Sequence, residues 1–140
     1  RFLDALAGSA AFLYVFAIGT ILAGPACGAV AVLLLFIHIP LVHEHGLRTN
    51  NMEGMLFLAY CAGVFHFLRW AALDDPAARA RHVLALALWF VLGFMTKFVA
   101  ALFLPFTLGL VAIVAPSTRR RLLADWRAWL GGALLALGLI

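Results

Sequence analysis

What this chain lacks is charge. Only 11% of its 140 residues are Asp, Glu, Lys or Arg, and 66% are hydrophobic. A soluble domain carries about a quarter charged residues, so a water-soluble globular fold is excluded. The mean hydropathy of +1.10 agrees. Period-two alternation is missing too: the apolar runs are continuous, which excludes a porin-like barrel. Cysteine is scarce. Cys27 and Cys61 sit inside apolar runs and read as small buried hydrophobes, with no CxxC and no zinc-ligand spacing. The net charge is +4, but the basic residues have no aqueous domain to sit on, so nucleic acid is excluded as a partner. There is no internal repeat and no low-complexity linker.

What the sequence has instead is a series of apolar runs approaching the ~20 residues that cross a ~30 Å hydrocarbon core. They predict an all-α, polytopic transmembrane helical bundle of five complete spans plus part of a sixth. Phe2 to Ala23 is the first span, with Asp4 near its start, where a carboxylate suits the positive end of the helix dipole. Gly24-Pro25 is a tight connection. Ala26 to Val42 is the second span, ended or kinked by Pro40. Met52 to Ala72 is the third, closed by Arg69 and Trp70 at the interface. Asp75 then reads as an N-cap and Pro76 as the first residue of the next helix. From Val83 to Pro116 only Thr96, Lys97 and Thr107 interrupt the apolar pattern. A straight helix of that length would reach about 50 Å, so two passes joined near Lys97 are expected. Ser117, a candidate cap, opens a basic interfacial segment through Arg121, and Trp126 and Trp129 fit an aromatic belt. The first residue is Arg1 rather than Met, and the final apolar run is short. Residues 1–140 are therefore expected to be one transmembrane domain cut from a longer protein at both ends, inactive in isolation.

Alternating passes sort the basic residues. Arg69, Arg79, Arg81, Arg119, Arg120, Arg121 and Arg127 fall on one side; Arg1, Arg48 and Lys97 fall on the other. The positive-inside rule makes the first side cytoplasmic. The His43–Asn51 loop and Lys97 then share the extracytoplasmic face of a multi-pass protein, expected in a bacterial inner membrane.

That loop carries the candidate chemistry. Glu53 stands at the start of a span, three residues after Asn50 and on the same helix face. One reading is a capping box between Asn50 and Glu53. The other is a carboxylate aimed into an extracytoplasmic cavity. Arg48 is either an interfacial anchor or a fork for a phosphate. His43, Glu44 and His45 place two imidazoles and a carboxylate within three residues, a candidate site for a divalent metal. Lys97 is either a snorkelling cation at a helical turn or the holder of an anionic headgroup. A lysine within a span costs about 2.5–3.5 kcal/mol on insertion scales. Asn50 and Asn51 join Arg48 and Lys97 as candidate substrate-binding residues.

Three segments resemble one family. They are Arg1-Phe2-Leu3-Asp4-Ala5-Leu6-Ala7-Gly8, Leu47-Arg48-Thr49-Asn50-Asn51-Met52-Glu53-Gly54 and Leu92-Gly93-Phe94-Met95-Thr96-Lys97, the last followed by Leu104-Pro105. In order and spacing they resemble the polyprenyl-phosphate-sugar-dependent membrane glycosyltransferases of the GT-C fold. The branch resembled includes the protein O-mannosyltransferase-like enzymes and the aminoarabinose transferases of lipid A. The resemblance implies transfer of a sugar from a polyprenyl-phosphate carrier to a lipid, protein or glycan acceptor on the extracytoplasmic face. It implies that Glu53 stands at the family's second acidic position, near acceptor or metal, and that Lys97 and Arg48 contact the donor phosphate. The family's principal catalytic aspartate lies in a loop upstream of the position of Arg1, and many relatives carry Asp where this chain has Glu53. A rival from another class is a transporter or flippase segment with Glu53 and Lys97 lining a translocation path. Such a path wants its ionisable groups near the midplane.

Overall fold

A computed structural model describes residues 2–38 and 53–140, all of them helical apart from short connections. Helix α1 (Phe2–Ala23) leads into α2 (Pro25–Ile37). Gly24 joins them at φ 91°, a left-handed conformation that glycine enters without a Cβ penalty. Pro25 then starts α2 with its φ already helical. The two helices cross backbone to backbone, for a Cβ on Gly19 would lie 2.6 Å from Gly28 Cα. Small residues permit this approach in lipid, where packing rather than water drives helix association.

Helix α3 (Glu53–Ala72) is the centre of the bundle, packed on α1 on one side and on α4 (Pro76–Thr96) on the other. The tight α3–α4 connection is built as expected. The Asp75 carboxylate accepts from the backbone N–H groups of Ala77 and Ala78 at 3.2 and 2.9 Å, covering donors a helix start leaves open.

The chain breaks at Lys97, whose φ of −152° and ψ of 84° are not helical. It continues as a single turn, α5 (Phe98–Ala101), then α6 (Phe103–Val114). It also reverses direction. Ala101 lies opposite Gly93, Leu104 beside Phe90, and Leu108 in one core cluster with Leu86 and Val83. Residue numbers rise on α6 as they fall on α4, the signature of an antiparallel return. Thr107 Oγ1 donates to the Phe103 carbonyl at 2.7 Å, which leaves Tyr60 to donate across α3–α6 to Thr107 at 2.8 Å. After Ala115 the axis bends by 110° into α7 (Pro116–Ala124), and Asp125 leads to α8 (Trp126–Leu139). Helix α8 packs on α4.

Two clusters hold the bundle. Phe67, Trp70, Val83, Leu86, Leu104 and Leu108 join α3, α4 and α6. Ala7, Ala11 and Leu58 join α1 to α3, with Tyr14, Phe57 and Trp89 around them. The outer faces remain apolar and exposed, as at Phe36, Phe103, Phe106, Ile113 and Leu137, which suits a hydrocarbon solvent.

The expected span count is corrected. Among the described residues three helices are long and apolar enough to cross a membrane: α1, α3 and α4. Counting the bent pair Phe98–Val114 and Pro116–Ala124 as one broken span makes four. Helix α2 has 13 residues and at 1.5 Å per residue reaches only about 20 Å; α8, expected as part of a span, has 14. Continuous apolar runs overstated the count because a run can stay apolar while its helix stops. Ser117 is a second correction: Ala115 occupies the cap position of α7 and Ser117 lies within the first turn. Arg1, Pro40 and the His43–Asn51 loop lie outside the described residues.

Candidate functional site

At one end of the bundle, the first residue of α3 meets the break after α4. Lys97 Nζ donates to Glu53 Oε1 at 3.0 Å across 44 residues of sequence. The antiparallel α3–α4 pair accounts for this. Its two long helices carry the chain away and back, so the start of α3 and the end of α4 fall at the same level. Glu53 sits in the first turn of α3, where a carboxylate is favoured by the helix dipole. Lys97 is where α4 gives out, its own N–H donating to the Gly93 carbonyl at 2.9 Å. Its side chain stays 48% exposed and that of Glu53 24%. An ammonium has three donors, so pairing with Glu53 leaves Lys97 able to bind a second anion.

Asp4 joins this end of the bundle, in a role its sequence position did not reveal. Placed on α1 near its start, it reads as a partner for its own helix dipole. In the fold it is only 9% exposed, and its Oδ1 accepts from the backbone N–H of Met55 at 3.2 Å. It therefore caps α3 from outside, beside the helix start that carries Glu53. Its Oδ2 is buried without a hydrogen-bond partner among the described residues. The signal available in the sequence was a carboxylate in the first turn of an otherwise uncharged span, which is costly unless it has a partner.

Of the other candidates, Arg48, Asn50 and Asn51, together with His43, Glu44 and His45, lie outside the described residues. Among the described residues no group of three His, Cys, Asp or Glu side chains is placed to hold a metal ion.

The opposite end is built differently. Asp125, between α7 and α8, receives two hydrogen bonds and one close ion-pair contact. Arg79 Nη2 donates to Oδ1 at 2.9 Å, Arg79 Nε lies 2.8 Å from Oδ2, and Trp70 Nε1 donates to Oδ2 at 2.9 Å. The Arg79 and Asp125 side chains are 16% and 12% exposed. Nearby, Arg121 Nη1 donates to the Leu73 carbonyl at 2.6 Å and Nη2 to Asp74 Oδ1 at 3.3 Å. These bonds draw the arginine-rich segments together at one end, while Glu53 and Lys97 meet at the other.

The family model described as dolichyl-phosphate-mannose-protein mannosyltransferase matches residues 1–140, the whole chain. No curated protein and no solved structure matches it.

Proposed function

The chain belongs to the dolichyl-phosphate-mannose-protein mannosyltransferase family, membrane glycosyltransferases, and from that membership we propose that the Glu53–Lys97 end is where a polyprenyl-phosphate sugar meets its acceptor. The observation that carries this reading is the pair itself. A carboxylate and a half-exposed ammonium, 3.0 Å apart, stand at helix ends rather than at mid-helix. A translocation path would want them near the midplane, so the transporter reading is the weaker one.

The proposed reaction is a displacement at the anomeric carbon. An acceptor hydroxyl forms the new C–O bond as the bond from that carbon to the carrier phosphate breaks. The phosphate leaves with the bonding electrons, and the hydroxyl proton passes to the Glu53 carboxylate. Lys97 donates to a phosphate oxygen and gains strength as negative charge builds there, which is the form of electrostatic help that lowers a barrier. Arg48 supplies a second, bidentate grip on the phosphate, and Asn50 and Asn51 hydrogen-bond the sugar or acceptor. Asp4 holds the start of α3, and so the base of Glu53, in place. A divalent cation at His43, Glu44 and His45 would add positive charge to the same face. By the arginine bias that face is extracytoplasmic.

The test is transfer of mannose from a synthetic polyprenyl-phosphate mannose in membranes carrying the protein. Replacing Lys97 with Leu should raise the KM for the donor, with Glu53→Gln lowering kcat. Unchanged transfer in both variants would leave the two residues as membrane anchors and overturn the proposal.

A further inference from the structure

The arginine-rich end carries a feature that sugar transfer does not use. Helices α6 and α8 both flank the α3–α4 pair but are not a packed pair themselves. Between them runs an apolar groove of about 440 Å³. Pro105 and Gly109 form one wall, Leu86 and Phe90 the floor, and Gly132 and Ala136 the other wall. The groove follows the chain from Trp129 to Ile140, 12 residues that span about 18 Å at 1.5 Å per residue. That is close to the depth of one leaflet, half of a ~30 Å core.

Helix α7 lies across the end of the groove as a lintel, bent 110° away from the preceding helix, with Leu122 in the lining. Arg119 stands one turn before Leu122 on the same helix face. Arg119 and Arg120 are exposed, and neither side chain makes an ion pair or hydrogen bond with another described residue. Arg127 lies 5.6 Å from the Trp126 ring at the start of α8. Cations thus stand where the groove reaches the interface, above a channel with the polarity of an acyl chain. We infer that this groove binds one anionic diacyl phospholipid of the leaflet at the arginine-rich end. One acyl chain lies between α6 and α8, and the phosphate rests on Arg119 and Arg120. Basic clusters beside a transmembrane helix attract anionic headgroups, each arginine adding to the affinity. The inference does not rest on the catalytic reading of the opposite end.

The test uses the chain purified in detergent and incubated with phosphatidylglycerol or phosphatidylcholine, the retained lipid being counted by native mass spectrometry. The wild type should hold one phosphatidylglycerol about tenfold more tightly than phosphatidylcholine. The Arg119→Gln/Arg120→Gln double variant should lose that preference. Gly109→Phe should release both lipids, because no atom lies within 4 Å of a Cβ built at Gly109 and the ring can enter the groove. Circular dichroism checks that this variant is folded, and the exposed arginine pair decides the question if it is not. Equal retention of the two lipids by the wild type would overturn the headgroup assignment. Unchanged retention in folded Gly109→Phe would overturn the groove. Displacement of phosphatidylglycerol by equimolar polyprenyl phosphate would overturn the choice of lipid and assign the groove to a carrier tail.

Discussion

Each end of this bundle has an acid–base pair drawn from distant parts of the chain, and the two pairs differ in every respect that bears on use. Asp125 is enclosed, with both carboxylate oxygens engaged by Arg79 and Trp70. Glu53 and Lys97 share one hydrogen bond, and half of the lysine side chain is open. A buried ion pair held by hydrogen bonds to the carboxylate is a brace. Removing one partner strands the other charge, so the pair cannot open cheaply to a ligand. An open pair costs little to separate, and its ammonium has donors to spare. The same two charges therefore fasten helices at one end and stay available to an anion at the other.

The comparison is tested most severely at Glu53. If the open end does chemistry, Glu53→Gln removes the proton acceptor and should lower kcat by about 10²–10⁴-fold, the usual contribution of a general base, with little change in thermal unfolding. The enclosed end should show the reverse. Asp125→Ala strands Arg79 and should destabilise the protein by about 3 kcal/mol, read as a fall in the apparent Tm in detergent. Transfer per folded molecule should be unchanged. A loss of transfer by Asp125→Ala beyond the loss of folded protein would mean that the two ends are coupled, and the division of labour would fail.

A smaller effect is expected at Asp4. Asp4→Ala leaves the Met55 N–H without its acceptor, and the loss of such a cap costs about 1 kcal/mol. Because α3 carries Glu53 in its first turn, kcat should fall more than donor KM rises. An unchanged Tm with normal transfer would show that water or another group covers the start of α3 equally well.

How much of this was legible beforehand follows the range of each interaction. The Gly24-Pro25 and Asp75-Pro76 connections were readable because turn and cap chemistry is local: a left-handed glycine, a carboxylate two and three residues from the N–H groups it serves. The reversal at Lys97 was readable from length, since a helix through Val83–Pro116 would outrun the membrane. The number of spans was not, because hydropathy records the solvent a residue prefers and not where its helix ends. That is why α2 and the broken pass after Lys97 were counted too generously. The roles of Asp4 and Asp125 were hidden for another reason. Asp4 bonds across 51 residues and Asp125 across 46 and 55, and no local pattern marks a partner so remote. Glu53 and Lys97 could be brought to one face by counting crossings, but their direct contact needed the fold.

The smallest expected change in stability discriminates best. Lys97→Leu removes one partner of Glu53, yet an exposed ion pair contributes no more than about 1 kcal/mol. Leucine is also cheaper than lysine next to lipid. The Tm should therefore hold steady or rise slightly, and added salt should change wild type and variant alike. Donor KM should nevertheless increase, because a hydrogen bond from a charged group to phosphate is worth about 1.5–3 kcal/mol. Stability kept and donor binding lost is a combination that a structural brace cannot produce. If Lys97→Leu instead lowered the Tm as far as Asp125→Ala does, Lys97 would be a second brace, and the phosphate would have to be sought elsewhere on this face.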